Sequence, residues 1–455
     1  MFPRQQSFFV LGLSKSGMAA AEFLLKLGAK TYVYDDVSGE KIARAIDALT
    51  ALGAICVQAN EIAEMTQRCD ALVLSPGIPI DHPIAVSFKR AKKAVLGETE
   101  LAARYMKGLA VGVTGTNGKT TTVSMLTDVL NAGGFSAVAC GNIGTPMVTL
   151  VDRNDYDVAV AEISSFQMET LNSFCPHAAV VLNVTEDHLN RHYNMENYVF
   201  LKRKLLKNLS ETEYAVLNYD DKTVRTFADG CKAQAVWFSV KEKVNGAYLF
   251  DGTLYFGEEK ILRADELPVG GIHNVQNALA VIAVAKTLGV ETQTLSTALK
   301  SFKGVKHRIE RVGEWQGITF VNDSKATNVD ATVKAVECMQ AETVLLVGGK
   351  DKGYDYKPLF DALKNSKVVH TILYGENRCK ILDGARASGY DSLSMCRDFD
   401  TAVKLSALTA RRGQTVLLSP ASASFDEFTG YEERGERFVG LFEEYVGKRE
   451  ETETE

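Results

Sequence analysis

The stretch LAVGVTGTNGKTTTVSMLTDVLN, residues 109–131, decides how the rest of the chain is read. Leu109, Ala110 and Val111 lead into the loop GVTGTNGKTTT (112–122), and a helix-like run, Val123 to Asn131, follows. Strand, glycine-rich loop and helix in that order make a phosphate site, because loop N–H groups and the positive end of the helix dipole face the same anion. Gly115 and Gly118 let the backbone turn, Lys119 offers a cation to the β- and γ-phosphates, and the Thr120 hydroxyl suits Mg²⁺. The spacing is unusual. A glycine is expected five residues before Gly118, where Val113 stands, and Gly112 comes one residue too early. The loop alone leaves open whether a switch, a kinase, a motor or another use of ATP is served.

Working outward, DVAVAEISS (157–165) reads as a buried strand that delivers Glu162 at its C-terminal end. The next strand, AAVVLNVTEDHLNRH (178–192), ends in Thr185, Glu186, Asp187 and His188. In a parallel sheet those ends share an edge with the phosphate loop. Mg²⁺ takes carboxylates more readily than imidazole, so His188 becomes a ligand candidate through its place beside Glu162. The turn GNIG (141–144) sets Asn142 at a strand end, suited to a substrate or a phosphate. Farther on, GGIHNVQNALAVIAVAKTLG (270–289) begins a helix near Asn274. Asn274 and Asn277, three apart, share one helix face, either for an adenine or for capping.

Before the loop, FFVLGLSKSGMAAAEFLLKLGAKTYVYDD (8–36) reads as strand, glycine turn, helix and strand. Ser14 takes the middle glycine position of a dinucleotide fingerprint, while Asp35 and Asp36 close the second strand where a ribose-binding carboxylate is expected. A second turn, SPGIP (75–79), follows Ala71–Leu74 on the same edge. Together they favour a nucleotide-linked ligand over a plain α/β unit. Beyond Lys303 come the strands TFVND, TVLLVGG, VVHTILYG and QTVLLSP. The turns HRIERV (307–312), NDSKATN (322–328), GGKDKGYDY (348–356) and SPASASFDEF (419–428) bring ions, hydroxyls and aromatics. Asp323 and Lys325 suit an ionic ligand or a surface salt bridge, and four such turns at corresponding strand ends suggest a built site.

Alternating strands and amphipathic segments throughout predict parallel sheets with crossover helices. At 455 residues the chain exceeds one core, and three groups separate at 1–98, 99–302 and 303–455. A net charge of −6 argues against a nucleic-acid binder. No apolar run approaches the roughly 20 residues that cross a bilayer, and Phe8–Leu11 is a short strand rather than a signal peptide. Eight scattered cysteines without a C-x-x-C pair predict reduced, mostly buried thiols and a cytoplasmic protein. The charged tail KREETETE is expected to fray.

The ordered set GTNGKTTT, GNIG, EISSFQ, NVTEDHL, HNVQNA, HRIE, NDSKATN and SPASASFDEF resembles the Mur ligases of peptidoglycan synthesis, from the first glycine turn to about residue 440. NDSKATN and SPASASFDEF resemble the members that add D-glutamate, and there is no DNPR-type motif of the diaminopimelate- or lysine-adding members. In that family the GTNGKT form of the loop is the normal one. The resemblance implies an α/β chain of three domains: a Rossmann-like N-terminal domain for the UDP portion, a central P-loop-type mononucleotide-binding ATPase domain, and a Rossmann-like C-terminal domain for the amino acid. It implies that ATP phosphorylates the carboxylate of UDP-N-acetylmuramoyl-L-alanine and that the amine of D-glutamate attacks the acyl phosphate. A cytoplasmic monomer without membrane or nucleic-acid partners is expected.

By motif, Gly115, Thr116, Asn117, Gly118, Lys119, Thr120 and Thr121 would hold ATP, with Asn274 and Asn277 at the adenine and Arg308 and Asp323 at the phosphates and ribose. Thr120, Glu162 and His188 would serve two Mg²⁺ ions. Ser14, Lys15, Ser16, Asp35, Ser75, Pro76 and Gly77 would approach the uridine diphosphate, and Asn142 the substrate. Lys325, Thr327, Lys352, Ser424 and Phe425 would surround D-glutamate. The family also carries a lysine carbamylated by CO₂ near the second ion. In NYVFLKRKLLKN (197–208) the resemblance points to Lys202, four residues after Tyr198, with Lys204 as the rival. Without the resemblance that segment is a basic amphipathic helix with a solvated face. The competing readings are another amide ligase, such as a different Mur ligase or a folylpolyglutamate synthetase, a P-loop ATPase or nucleotide-binding regulator, and a dinucleotide-dependent oxidoreductase.

Overall fold

The computed structural model describes residues 6–452. Its strands form three sheets. The first comprises β1 (Ser7–Leu11), β2 (Lys30–Tyr34), β3 (Ile55–Cys56), β4 (Ala71–Leu74) and β5 (Ala94–Leu96). They are all parallel in the order β3-β2-β1-β4-β5. Because β1 lies between β2 and β4, the turns after these three strands emerge side by side at the sheet's C-terminal edge, where the strand order reverses. GLSKSG, Asp35 and SPGIP are those turns.

The second sheet has nine strands: β6 (Leu109–Thr114), β7 (Ala137–Gly141), β8 (Val158–Glu162), β9 (Ala178–Val181), β10 (Tyr214–Asn218), β11 (Gln234–Ser239), β12 (Gly246–Phe250), β13 (Thr253–Phe256) and β14 (Glu259–Arg263). Their order is β14-β13-β12-β11-β10-β9-β6-β8-β7. β8 and β9 are wholly buried and apolar up to Glu162 at the end of β8, as strands covered on both faces must be. β7, β8, β6 and β9 are neighbours, so the phosphate loop, GNIG, Glu162 and NVTEDHL leave one edge together.

The expectation of parallel pairing from end to end fails at β12, β13 and β14, which pair antiparallel. The tight turn at Asp251-Gly252, with both residues at positive φ, reverses the chain within two residues and leaves no room for a crossover helix. The helix after the phosphate loop spans Lys119–Ala132 rather than starting at Val123, because the left-handed Gly118 caps it directly and Lys119 opens its first turn. The helix expected from Asn274 spans Ile272–Thr287.

The third sheet runs β15-β16-β20-β17-β18-β19, from β15 (Glu310–Trp315), β16 (Ile318–Asn322), β17 (Thr343–Gly348), β18 (Val368–Tyr374), β19 (Leu393–Met395) and β20 (Thr415–Leu418). Only the β15–β16 pair is antiparallel. Alternation along β16, β17 and β20 sends Phe320, Val344, Leu346 and Leu418 into one core layer and Val321, Leu345, Val347 and Leu417 into the other. The tail expected to fray is helical as far as Thr452, the end of Tyr431–Thr452; residues 453–455 of that expectation lie outside the described residues.

The first two sheets belong to one compact unit, the chain up to Leu267 joined by Gln276–Phe302, and share a continuous core from Phe8, Val10 and Leu24 through Leu101 to Ala159 and Phe174. The third sheet belongs to a second unit, Pro268–Val275 with the chain from Lys303. All eight cysteines are free, but only Cys69, Cys140 and Cys396 are buried, and Cys175 and Cys379 are exposed. The mostly buried expectation is therefore corrected. Among the described residues no helix is long and apolar enough to cross a membrane.

Candidate functional site

In the first unit the phosphate loop is a hub. Gly115 and Gly118 both have positive φ, and a Cβ on Gly118 would lie 2.4 Å from Asn277 Oδ1. Lys119 folds its Nζ onto the carbonyls of Gly115 and Thr116 at 2.9 and 2.8 Å. Thr116 Oγ1 accepts from Thr185 N and lies 3.0 Å from Tyr198 Oη. Asn117 exchanges two hydrogen bonds with Asn183. Thr121 is buried in the first helical turn.

Glu162, 1 % exposed, is held from two sides. Thr120 Oγ1 donates to its Oε2 at 2.7 Å, and Asn142 Nδ2 donates to its Oε1 at 2.8 Å. Gly141 brings GNIG this close, since a Cβ there would meet the Glu162 carbonyl at 2.4 Å. Mg²⁺ uses one or two protein carboxylates and fills its octahedron with phosphate oxygens and water. Glu162 and Thr120 beside a phosphate loop fit that pattern. Among the described residues no three His, Cys, Asp or Glu side chains gather into a metal cage of their own.

His188 sits at a left-handed φ of 55° as the N-cap of a short turn, with Nε2 3.4 Å from Asp187 Oδ2 and its ring edge-on to Phe166 at 4.8 Å. Lys202, to which the resemblance points, is buried. The helix Met195–Arg203 turns it inward, to 1 % exposure, and its Nζ donates to the Gly115 carbonyl at 2.9 Å. Burial, and then the neighbouring Lys119 cation, hold its amine well below the usual ammonium range, against the pull of Asp187 and Glu162. The rival Lys204 points elsewhere, to the Met168 and Glu169 carbonyls that end a short helix. The solvated-face reading of this segment is therefore wrong for Lys202.

On the first sheet's edge, Asp35 Oδ2 accepts from Leu13 N at 2.6 Å and Oδ1 accepts from Val37 N at 2.8 Å. Asp35 thereby ties the GLSKSG turn to the end of β2. Ser14 and Ser75 share a hydroxyl hydrogen bond of 2.9 Å, and Lys15 Nζ donates to the Gly144 carbonyl of GNIG. Ser16 is half-buried in the helix N-terminus, and Gly77 is exposed.

The second unit assembles its own cluster. Loops after β16, β17 and β20 are neighbours because those strands are adjacent in the order β16-β20-β17. Asp323 accepts from Ser419 Oγ at 2.7 Å, and burial pushes its carboxyl up to about 7 against the pull of Arg308. Arg308 Nε is buried without a hydrogen-bond partner. Lys325 lies over the Tyr431 ring at 4.9 Å and Lys352 over Tyr354 at 5.9 Å. Thr327 is half-buried, Ser424 is 2 % exposed, and Phe425 is 68 % exposed. Asn274 Nδ2 donates to the Gly270 carbonyl at 2.8 Å, four residues back; Asn277 belongs to the first unit.

Several organising residues escaped the reading of the sequence. Arg434, fully buried, donates to Ser324 Oγ and to the carbonyls of Ser324, Ser422 and Ala423, clamping NDSKATN to SPASAS. Tyr198 stacks on His192 and lies under the Lys202 amine at 4.6 Å. Asn183 and Asp187 lay inside a motif already singled out. Arg434 offered no signal, since the acidic, charged start of its helix reads as surface.

Three sheets of mostly parallel strands, a phosphate loop with a carboxylate beside it, and a separate cationic cluster define an ATP-using α/β protein of several domains. The chain matches the N-terminal domain of MurD-like Mur ligases over residues 6–97, the Mur ligase middle domain over 113–285 and the glutamate ligase domain of Mur ligases over 307–422. It belongs to the Mur ligase family. It is 40 % identical to UDP-N-acetylmuramoylalanine–D-glutamate ligase of Thermoanaerobacter sp. (strain X514), over 94 % of this chain and 96 % of that one. The enzyme of the same name from Koribacter versatilis (strain Ellin345) is also 40 % identical, over 99 % of each chain. Among solved structures, MurF ligase of Thermotoga maritima in complex with ADP aligns at a TM-score of 0.61 and 17 % identity, over 99 % of this chain and 100 % of that one. UDP-N-acetylmuramate-alanine ligase MurC of the same organism gives 0.61 and 19 %, over 96 % and 99 %. At such identities these two show the fold alone.

Proposed function

We propose that this chain is an ATP-dependent, ADP-forming ligase that joins D-glutamate to UDP-N-acetylmuramoyl-L-alanine in peptidoglycan precursor synthesis. The observation that carries the reading is the buried amine of Lys202 on the Gly115 carbonyl, within a phosphate loop already served by Lys119. A plain ATPase has no use for a second, fully buried lysine there. Full-length relatives bearing the D-glutamate ligase name support the same reading.

Residues 1–98 take the UDP portion, 99–302 take ATP, and 303–455 take the amino acid. Gly115, Thr116, Asn117, Gly118, Lys119, Thr120 and Thr121 hold the phosphates; Asn274 and Asn277 serve the adenine, and Arg308 and Asp323 the phosphate and ribose regions. Bound Mg²⁺ supplies charge neutralisation between the phosphates, with Thr120, Glu162 and His188 as its protein partners. Phosphoryl transfer then needs little beyond positioning and fixed charge, which the loop amides and Lys119 supply. The substrate carboxylate, brought in by Ser14, Lys15, Ser16, Asp35, the SPGIP turn and Asn142, receives the γ-phosphate. The amine of D-glutamate, placed by Lys325, Thr327, Lys352, Ser424 and Phe425, attacks the acyl phosphate and releases inorganic phosphate.

Lys202 fits the carbamate expected of this family. A neutral amine adds to CO₂, forming an N–C bond and losing one proton. The product is an anion beside Lys119, which puts an attraction where the neutral amine offered none. The protein works in the cytoplasm as a monomer. The test is phosphate release with ATP, Mg²⁺ and UDP-N-acetylmuramoyl-L-alanine across a panel of amino acids. Release that requires both the UDP-substrate and D-glutamate is expected. Steady release with neither acceptor overturns the reading in favour of an ATPase.

A further inference from the structure

The residues after His188 contain a cation that the ligase chemistry leaves without a role. Arg191 is 11 % exposed in its side chain, and it faces Glu169, which is 5 % exposed. Nε donates to Glu169 Oε1 at 2.9 Å and Nη2 to Oε2 at 2.7 Å, the paired geometry of a guanidinium on a carboxylate. The remaining donors reach the first sheet. Nη1 donates to the Gly77 carbonyl at 3.1 Å, and Nη2 donates to the Ile78 carbonyl at 2.7 Å and the Pro76 carbonyl at 3.3 Å. One side chain thus gathers three consecutive carbonyls of the SPGIP turn. Its guanidinium also lies 4.8 Å over the Phe166 ring, the same ring that packs edge-on against His188.

This arrangement orients the turn. In a trans peptide the C=O and the following N–H point in opposite directions. With the Pro76 carbonyl drawn to Arg191, the Gly77 N–H faces away from it. A Cβ placed on Gly77 would meet nothing within 4 Å, so the turn is open beside the Gly77 α-carbon. An N–H fixed toward open space at a strand's C-terminal end is a donor in waiting for an anionic ligand.

We propose that Arg191 is a positioning residue for the UDP-linked substrate: it fixes the SPGIP turn with the Gly77 N–H outward and ties that turn, through Glu169 and Phe166, to the His188 segment. The inference rests on the ligase reading above for the identity of the substrate. Lysine cannot replace it, since one ammonium cannot span a carboxylate and three carbonyls at once.

The test compares R191A and R191K with the parent in steady-state kinetics, and by calorimetric titration of UDP-N-acetylmuramoyl-L-alanine without ATP. Loss of the fixed turn is expected to raise KM for the UDP-substrate about 10- to 100-fold in both variants while KM for ATP stays within about twofold. Calorimetric affinity falls in parallel, and methylguanidinium restores part of it in R191A. Unchanged UDP-substrate affinity, or equal losses for ATP and UDP-substrate, overturns the inference. Should R191A fail to fold, E169Q carries the same readout with a smaller rise in the same KM, and an unchanged KM there also overturns it. Failure of the ligase reading is distinct: the parent itself would then show no phosphate release dependent on D-glutamate.

Discussion

Lys202 and Glu98 show how burial turns an ordinary ionisable residue into a measurable one. If the Lys202 amine is carbamylated, Lys202→Ala removes a fixed anion from the phosphate site, and a loss of about 10²–10³-fold in kcat is expected. Short carboxylic acids are expected to restore part of the activity by occupying the vacated space. The parent should show a ¹³C carbonyl signal after growth with labelled bicarbonate, and the variant should not. Full activity of the variant without additives sinks the assignment. Glu98 is 2 % exposed, accepts from Val148 N at 2.6 Å, and is pushed by burial from 4.5 to about 7. Below pH 4.5 the folded and unfolded chains both hold its proton and nothing is lost. Between 4.5 and 7 the unfolded chain releases it first, so stability falls as pH rises, by up to about 3 kcal/mol above pH 7. Glu98→Gln keeps the acceptor and removes the charge. Its melting temperature should gain on the parent at pH 8 and far less at pH 5, and a pH-independent difference would refute the assignment.

At the level of elements, the strand–loop–helix unit around Gly118 depends on one backbone conformation. Gly118 has φ of +89°, and a Cβ would press within 2.4 Å of Asn277 Oδ1 and 3.2 Å of Leu182. A left-handed conformation costs a non-glycine residue about 1–2 kcal/mol before any clash. Gly118→Ala is therefore expected to weaken ATP binding at least about tenfold by titration calorimetry while circular dichroism stays unchanged. Unaltered ATP affinity would mean the loop does not cradle phosphate. This loop was legible in the sequence because glycines, lysine and threonine each have a local backbone or charge reason to be there. The strand ends carrying Glu162 and Asn142 were legible for the same cause, since apolar runs locate the strands and the sheet edge follows. Lys202 was legible only through the resemblance, and Arg191 and Arg434 were not legible at all. A cation in a helical segment rich in charge reads as solvated, and only tertiary packing turns it inward. The β12–β14 meander was missed because its strands, GAYLF, TLYF and EKILR, are only four or five residues long and follow one another across two-residue turns, so none makes the long apolar run that marks a buried parallel strand.

For the whole molecule, the two compact units predict how it comes apart. The first has a core that runs continuously through two sheets, and the second has separate layers on the two faces of its own sheet. Chains built of separate cores seldom unfold in one step, so calorimetry should resolve two transitions. Arg434 lies wholly within the second unit, where five donor contacts hold two loops together. Arg434→Ala would leave the Ser324 and Ser422 carbonyls buried without their donor, while the Ala423 carbonyl keeps Lys350 N, at about 3–5 kcal/mol. In a unit of this size that corresponds to a fall of roughly 10 °C in one transition. Glu98→Gln should move only the other, because perturbations with no shared partners add independently. A single transition shifted by both variants would show that the cores melt together. Loss of D-glutamate-dependent release is the matching functional outcome for Arg434→Ala, since the loops it clamps carry Asp323, Lys325, Thr327, Ser424 and Phe425.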